Sequence, residues 1–303
     1  MIASVKIVEV GPRDGLQNEK SVVATEVKVD LLNRLSAAGF AHIEVTSFVS
    51  PKWVPQLADA SEVMEQMKRR SGTTYSVLVP NLQGVDKAVA AKADEIVIFT
   101  AASETFCQKN INCSIEHSFE RYAPVADVVK ANGLRLRGSI SCSFGCPYEG
   151  EVPVSSVVKV VKRLHELGCA EIDLADTIGI GTVKRVKELI AAASHEFPIE
   201  QLAGHYHDTF GQALANILAS IEAGIATFHS SVAGLGGCPY APGATGNVAT
   251  EDLLYLLHGL GLETGIDLDE VVSIGKFICL AIGRPNASKA GAALLAKRTV
   301  SNT

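Results

Sequence analysis

The chain has 303 residues, of which 47% are hydrophobic, and it carries a formal net charge of −6. This length suits one α/β barrel or two ordinary domains, and it allows a large buried core. The net charge is negative and the longest basic cluster is the three-residue run 68–70, which argues against nucleic acid and acidic membrane surfaces as partners.

Short β-branched runs alternate with amphipathic helical stretches along the whole chain. The predicted strands are 5–10, 42–46, 74–79, 95–99, 135–141, 171–174, 202–207 and 227–231. The predicted helices between them are 25–38, 57–70, 82–91, 115–131, 154–167, 182–193 and 209–223. This alternation is typical of parallel strands joined by helical crossovers, and the repeated units predict a (β/α)8 TIM barrel. A doubly wound open sheet is the alternative, but no GxGxxG motif follows the first predicted strand.

The chain continues beyond the eighth predicted strand. A glycine-rich stretch at about 232–248 leads into a C-terminal helical extension at about 249–285. The tail after Arg284 is rich in alanine and lysine, and we expect it to be poorly ordered. We therefore predict a single TIM-barrel domain over 1–303, with the barrel itself in about 5–231.

Cysteine usage and hydropathy indicate the compartment. The seven cysteines are scattered without a paired CxxC motif, which fits a reducing compartment better than a disulfide framework. No apolar run reaches the ~18 residues of a membrane span, and no signal-peptide hydrophobic region occurs. We therefore expect a cytoplasmic protein.

The segment 204–209 places two imidazoles two residues apart at the end of an apolar run. On a strand this spacing sends His205 and His207 to the same face, where both can reach one metal ion. Hard ligands from elsewhere would complete the site, and Asp14 and Asn247 are the candidates, because both follow predicted strands. Such a donor set suits an octahedral divalent cation. Two structural histidines at a strand end remain the alternative.

Other polar residues also follow predicted strands, and the carboxyl ends of barrel strands share one mouth. Arg13 could hold an oxyanion beside a metal or form a turn ion pair with Asp14. Glu44 lies between apolar neighbours and therefore needs a partner, such as Arg13 or a metal-bound water. Asp176 is either an active-site acid or a helix cap. Cys238 lies among glycines, so its thiol should be accessible as a nucleophile, an acid or a redox sensor.

Four segments together resemble one known family. They are 11–19 (GPRDGLQNE), 44–53 (EVTSFVSPKW), 205–209 (HYHDT) and 232–247 (VAGLGGCPYAPGATGN). These segments closely resemble the hydroxymethylglutaryl-CoA lyase family, which belongs to a superfamily of metal-dependent TIM-barrel lyases and synthases with an Arg-Asp-Glu signature. The histidine pair and the Arg-Asp pair are shared across the superfamily, whereas the loop GGCPY is characteristic of the lyase.

The resemblance implies a function for each of these motif residues. It implies a centre for Mg2+ or Mn2+ formed by Asp14, His205, His207 and Asn247. It implies a catalytic set of Cys238, Arg13, Asp176, Glu44 and His205. It implies substrate contacts from Arg13, Gln17 and Ser47.

The reaction that the resemblance implies is a retro-Claisen cleavage of 3-hydroxy-3-methylglutaryl-CoA to acetyl-CoA and acetoacetate. The metal would chelate the tertiary hydroxyl and a substrate carboxylate, and Arg13 would stabilise the enolate oxygen. Cys238 would protonate the enolate carbon. Asp176, Glu44 and His205 all stay open as the base that removes the hydroxyl proton.

Three rival functions remain at this point. They are a lyase for a longer 3-hydroxyacyl-CoA, a Claisen-type acyl-CoA synthase of the same superfamily, and a catalytically silent barrel that binds a metal or ligand. Mg2+, Mn2+ and Co2+ would all accept this ligand set. We expect an acyl-CoA substrate as partner, no nucleic acid or membrane, and a homo-oligomer, most simply a dimer, in a bacterial cytoplasm. Asn110 and Asn112, after the fourth predicted strand, are either CoA contacts or turn residues.

Overall fold

Parallel strands close into a barrel in which each strand pairs with the next and the eighth pairs with the first. The structure is a computed structural model and describes residues 2–237 and 246–301. Its strands are β1 (Lys6–Glu9), β2 (His42–Ser47), β3 (Thr74–Leu78), β4 (Glu95–Ala101), β5 (Arg135–Ser141), β6 (Glu171–Asp176), β7 (Leu202–Tyr206) and β8 (Thr227–Ser230). The predicted (β/α)8 TIM barrel is confirmed.

Helices follow every strand and cover the barrel. They are α1 (Thr25–Ala37), α2 (Ala60–Gln66), α3 (Leu82–Ala90), α4 (Glu104–Ile111), α5 (Ile115–Ala131), α6 (Val154–Glu166), α7 (Val183–Ala193) and α8 (Ala213–Ala223). In α6 the buried residues Val157, Val160, Val161 and Leu164 recur at helical spacing, so one face packs against the strands. Among residues 2–237 and 246–301, no helix combines the length and the apolar character needed to cross a membrane.

The C-terminal part is more ordered than the sequence indicates. After β8 come α9 (Thr250–Gly259), α10 (Leu268–Ile282) and α11 (Lys289–Ser301). Over residues 285–301 the expectation of a poorly ordered tail was wrong, because Asp252 of α9 accepts hydrogen bonds from Ser288 Oγ at 2.8 Å and Ala290 N at 2.7 Å. These contacts satisfy donors at the start of α11 and attach it to the body of the protein.

The barrel interior carries charged side chains where branched aliphatic residues are usual. On β6, Glu171 and Asp173 alternate with the apolar residues Ile172 and Leu174, and all of them are buried. The fully buried guanidinium of Arg137 on β5 lies at the centre of the interior acids. A buried charge is tolerated only when it is paired, so the strands must hold these groups in register. This ionic interior lies directly below the candidate site.

Candidate active site

A returning segment of chain completes the end of β7. His207 and Asn247 form an isolated antiparallel bridge, and Val248 N donates to Tyr206 O at 3.1 Å while Asp208 N donates to Gly246 O at 2.9 Å. This pairing places Asn247 beside His207, although the two are far apart in the sequence. The predicted location of the histidine pair at the carboxyl end of the seventh strand is confirmed.

A tight turn after β1 brings Arg13 and Asp14 to the same mouth. The turn Gly11–Gly15 forms because Arg13 N, Asp14 N and Gly15 N all donate to Val10 O, at 3.2, 2.8 and 3.1 Å. Gly11 N also donates to a carboxylate oxygen of Glu9 at 2.8 Å, and a β-carbon on Gly11 would lie 2.6 Å from that oxygen. A side chain at the start of this turn would therefore displace the Glu9 carboxylate that Gly11 N contacts.

The turn and the end of β7 bring the four predicted ligands together. Asp14, His205 and His207 each offer a ligand atom, and these atoms lie within 4.8 Å of one another. Asn247 Nδ2 donates to Asp14 Oδ2 at 2.7 Å. Within residues 2–237 and 246–301, the buried atom Asn247 Oδ1 finds no hydrogen-bond partner. Buried polar atoms without partners are costly, and a cation at this position would relieve that cost.

The protonation states of these groups also suit a cation. Burial alone would raise the pKa of Asp14, but the adjacent Arg13 guanidinium outweighs it and holds that pKa well below its usual range. Burial lowers the pKa values of His205 and His207. At neutral pH the cluster therefore offers one anionic carboxylate and two unprotonated imidazoles, the states that metal binding requires.

Two guanidinium groups fix Glu44. Arg13 Nε donates to one carboxylate oxygen of Glu44 and Arg137 Nη2 to the other, while Arg13 Nη1 donates to Asp14 Oδ1 at 2.8 Å. Burial would raise the pKa of Glu44, but the two guanidinium groups outweigh it and lower that pKa. The predicted pairing of Glu44 with Arg13 is confirmed. Arg137 was not predicted from the sequence, where its only signal was an arginine at the third position of the predicted strand 135–141.

Asp176 faces away from the mouth. Its neighbours Ala175 and Thr177 line the cavity, so strand alternation turns the Asp176 side chain to the opposite face. Its carboxylate accepts hydrogen bonds from Ile180 N at 3.0 Å and Gly181 N at 2.8 Å, and burial raises its pKa to about 6. The expectation of an acid facing the substrate is not met. The carboxylate instead holds the loop that follows β6.

The remaining predicted residues have different locations. Gln17 is half-buried and lines the cavity. Ser47 is fully buried, and in the part of the chain that the structure describes it neither lines that cavity nor finds a partner for its hydroxyl. It therefore does not meet the expectation of a substrate contact. Cys238 lies outside the described residues.

A cavity of about 880 Å3 opens above this cluster. Arg13, Asp14, His205 and His207 lie among its lining residues, and the lining extends to Lys20, Trp53, Lys109, Asn110 and Asn112. Asn110 lies in α4, and Asn112 ends that helix in a left-handed conformation with φ of 53°. The volume is at the upper end of the range for small-molecule sites, which suits an elongated ligand.

A third histidine, His229, adjoins the cluster of candidate ligands and was not predicted from the sequence. β7 and β8 pair His205 with His229, and their Nδ1 atoms lie 3.2 Å apart. Asp173, His205 and His229 form a second buried group with ligand atoms within 4.8 Å of one another. A single histidine on a short strand gave no sequence signal, because its neighbour across the sheet depends on the strand register.

Two buried carboxylates hold the start of the glycine-rich loop. Glu9 accepts a hydrogen bond from Val232 N at 2.9 Å, and Glu251 accepts one from Ala233 N at 2.8 Å. Ala233 has a φ of 57°, which an alanine adopts only when its surroundings enforce it. These two carboxylates therefore determine how the chain leaves the barrel toward the loop.

The buried carboxyl groups of Glu9 and Glu251 make the free energy of unfolding depend on pH. Burial raises the pKa of Glu9 to about 7 and that of Glu251 to about 8, from an ordinary value of 4.5. Because the folded chain retains protons that the unfolded chain loses, their stabilisation is fully present below about pH 4.5 and is lost as pH rises through 7 and 8. We expect urea unfolding between about pH 5 and 8 to show a steeper loss of stability in the wild type than in the Glu9→Gln/Glu251→Gln double variant. Parallel curves would contradict this prediction.

Comparisons with known proteins agree with the geometry. The HMGL-like family model matches residues 4–278. A 3-hydroxy-3-isohexenylglutaryl-CoA/hydroxy-methylglutaryl-CoA lyase of Pseudomonas aeruginosa is 55% identical over 293 residues, which are 97% of this chain and 98% of that protein. The mitochondrial hydroxymethylglutaryl-CoA lyase of Rattus norvegicus is 55% identical over 285 residues, 94% of this chain and 88% of that protein.

Solved structures agree as well. The crystal structure of hydroxymethylglutaryl-CoA lyase from Pseudomonas aeruginosa matches with a TM-score of 0.96 and 54% identity, covering 98% of this chain and 99% of that one. The family resemblance of the four motif segments is thereby confirmed. With a family model that matches most of its length and relatives of this identity, the chain belongs to the HMGL-like family.

Proposed function

We propose that the protein cleaves 3-hydroxy-3-methylglutaryl-CoA to acetyl-CoA and acetoacetate. The observation that carries the proposal is the convergence of four potential ligands beside the Arg13 guanidinium, below a cavity of about 880 Å3; the ligands are Asp14, His205, His207 and Asn247. Relatives at 55% identity that bear the name of this lyase support the same reaction.

The proposed metal centre uses the four ligands that the sequence predicts. We propose that Asp14, His205, His207 and Asn247 hold Mg2+ or Mn2+, which when bound would orient and polarise the substrate hydroxyl and carboxylate. The orphaned Asn247 Oδ1 and the charged Asp14 carboxylate support this assignment. Mixed oxygen and imidazole donors suit either cation.

Arg13 is the proposed partner of the developing enolate oxygen. Its contacts with Asp14 and Glu44 fix the guanidinium while it lines the cavity, so little reorganisation is needed when charge develops on the substrate. Glu44, held by two guanidinium groups with a lowered pKa, suits the positioning of Arg13 better than proton transfer.

The contacts of the candidate acids and bases suggest which of them can transfer protons to or from the substrate. Asp176 faces the loop after β6, and we propose that it positions this loop rather than acting on substrate. Of the three candidate bases, His205 alone lines the cavity, and it can take the hydroxyl proton only when it is not coordinated to the cation. Cys238 as the acid that protonates the enolate carbon rests on the family resemblance, as does Gln17 as a substrate contact. We further propose a homodimer that acts on an acyl-CoA in a bacterial cytoplasm, on the same resemblance.

An acyl-CoA panel with and without chelator tests the proposal. We expect 3-hydroxy-3-methylglutaryl-CoA to yield acetyl-CoA and acetoacetate, a chelator to abolish this turnover, and Mg2+ or Mn2+ to restore it. A preference for a longer 3-hydroxyacyl-CoA, or consumption of acetyl-CoA with release of free CoA, would contradict the assigned reaction and favour a sister enzyme. Metal binding without turnover of any thioester would favour the silent barrel.

A further inference from the structure

The strand register sets His229 against the proposed ligand His205. The two residues are direct partners across β7 and β8, and their rings meet edge to face at a centroid distance of 5.3 Å. The Nδ1 atoms lie 3.2 Å apart, which is a hydrogen-bond distance, and His229 is only 2% exposed. One of the two nitrogens must donate and the other must accept.

The direction of this hydrogen bond decides whether His205 can bind a cation. The other ring nitrogen of His205, Nε2, lies on the side of the ligand cluster, 3.9 Å from Asp14 Oδ2. A ring nitrogen that binds a cation carries no proton, so the proton of neutral His205 must reside on Nδ1 and be donated to His229 Nδ1. A side chain that accepts at this position stabilises that tautomer, whereas one that cannot accept leaves the buried N–H unpaired.

His229 is surrounded so that it can serve as this acceptor. Its Nε2 lies 3.2 Å from Arg137 Nη1 and 3.8 Å from Glu171 Oε1. When His229 Nδ1 accepts from His205, the proton of His229 is on Nε2; the Arg137 guanidinium, which can only donate, must then move away from Nε2, and the Glu171 carboxylate 3.8 Å away is the acceptor that this proton faces. When Nε2 instead accepts from Arg137, the hydrogen bond between the two histidines reverses. His229 can therefore adopt either tautomer, and a cation would select the one in which it accepts.

We propose that His229 is a positioning residue that holds the ring of His205 and accepts its Nδ1 proton when a cation binds Nε2. This inference rests on the proposed metal centre. A second cation between Asp173, His205 and His229 explains the geometry less well, because Arg137 Nη1 lies 3.2 Å from His229 Nε2 and would repel it. Asp173 also already accepts a hydrogen bond from Ser139 Oγ at 2.7 Å.

Two variants of similar size separate the effect of the hydrogen-bond acceptor at position 229 from the effect of side-chain volume. His229→Leu removes the acceptor, whereas His229→Asn keeps an oxygen close to the position of Nδ1. We expect calorimetric titration with Mn2+ to show binding weakened about 10- to 100-fold by His229→Leu and restored largely by His229→Asn. His165→Leu, an exposed change on α6, is the control and should bind as the wild type does. Unchanged Mn2+ affinity in a folded His229→Leu variant would overturn the inference.

A second measurement needs no variant. In the Mg2+-loaded wild type, nitrogen-15 NMR of the imidazoles should place the proton of His205 on Nδ1, and a proton on Nε2 would overturn the inference. His207→Ala separates this inference from the proposal on which it rests. If the wild type binds no Mn2+, or if His207→Ala binds it normally, the proposed metal centre fails and the inference fails with it. If His207→Ala loses Mn2+ while His229→Leu retains it, only the inference on His229 fails.

Discussion

Asp14→Asn should lower Mn2+ affinity and reduce turnover by about 10³-fold. A catalytic metal stabilises the transition state by several kcal/mol, and each ~1.4 kcal/mol of activation free energy changes the rate tenfold. Asp14 supplies the one negative charge of the proposed ligand set. Its Oδ1 accepts from Arg13 and its Oδ2 from Asn247, at 2.8 and 2.7 Å. An asparagine amide would direct an NH2 group at one of these two donors, so the substitution removes the charge and also disturbs both neighbours.

Calorimetric titration with Mn2+ and the acetyl-CoA assay at saturating metal would measure the two effects separately. Asp30→Asn is the matched control, because Asp30 pairs with Arg34 at 3.0 Å on the solvent-accessible side of α1 and its loss should leave both quantities unchanged. An Asp14→Asn variant with wild-type Mn2+ affinity would remove Asp14 from the metal centre. Normal affinity with slow turnover would instead assign Asp14 to the orientation of Arg13.

The features that sequence predicted correctly depend on chain order and strand ends. Alternating strands and helices define the barrel through local periodicity, and the carboxyl ends of parallel strands meet at one mouth whatever their exact register. The sequence alone could therefore predict that four residues meet at this mouth, namely Asp14, His205, His207 and Asn247. The same reasoning identified the pairing of Arg13 with Glu44, since a carboxylate between apolar residues requires a nearby cation.

The features that sequence missed depend on which face a side chain occupies. Asp176 is at the predicted height on β6, but Ala175 and Thr177 take the inward face, so the acid points outward. The roles of Arg137 and His229 arise from pairing across several strands, which no local pattern encodes. A shift of one residue in a strand would exchange its two faces, and only the assembled barrel determines that choice.

The fully buried Arg137 gives the second large effect, which concerns stability. Arg137→Met should lower the free energy of unfolding by about 3–5 kcal/mol, because removing one partner of a buried ion pair leaves the other charge uncompensated. Glu44 is the carboxylate in direct contact with the Arg137 guanidinium, and Glu95, Asp173 and Glu171 also interact with its charge. Without the guanidinium these interior acids would repel one another in a medium that screens charge poorly.

Arg135→Met on the same strand is the matched control. The Arg135 side chain is 51% exposed, and it pairs with Glu95 at 3.2 Å and Glu171 at 4.0 Å near the opposite end of the barrel. Solvent screens such pairs, so we expect a loss of at most about 1 kcal/mol. Urea unfolding of both variants measures the difference, and equal losses would refute the view that Arg137 stabilises the barrel through its buried charge. Since Arg137 also holds Glu44 and thereby Arg13, residual folded Arg137→Met protein should turn over slowly even where its Mn2+ affinity is retained.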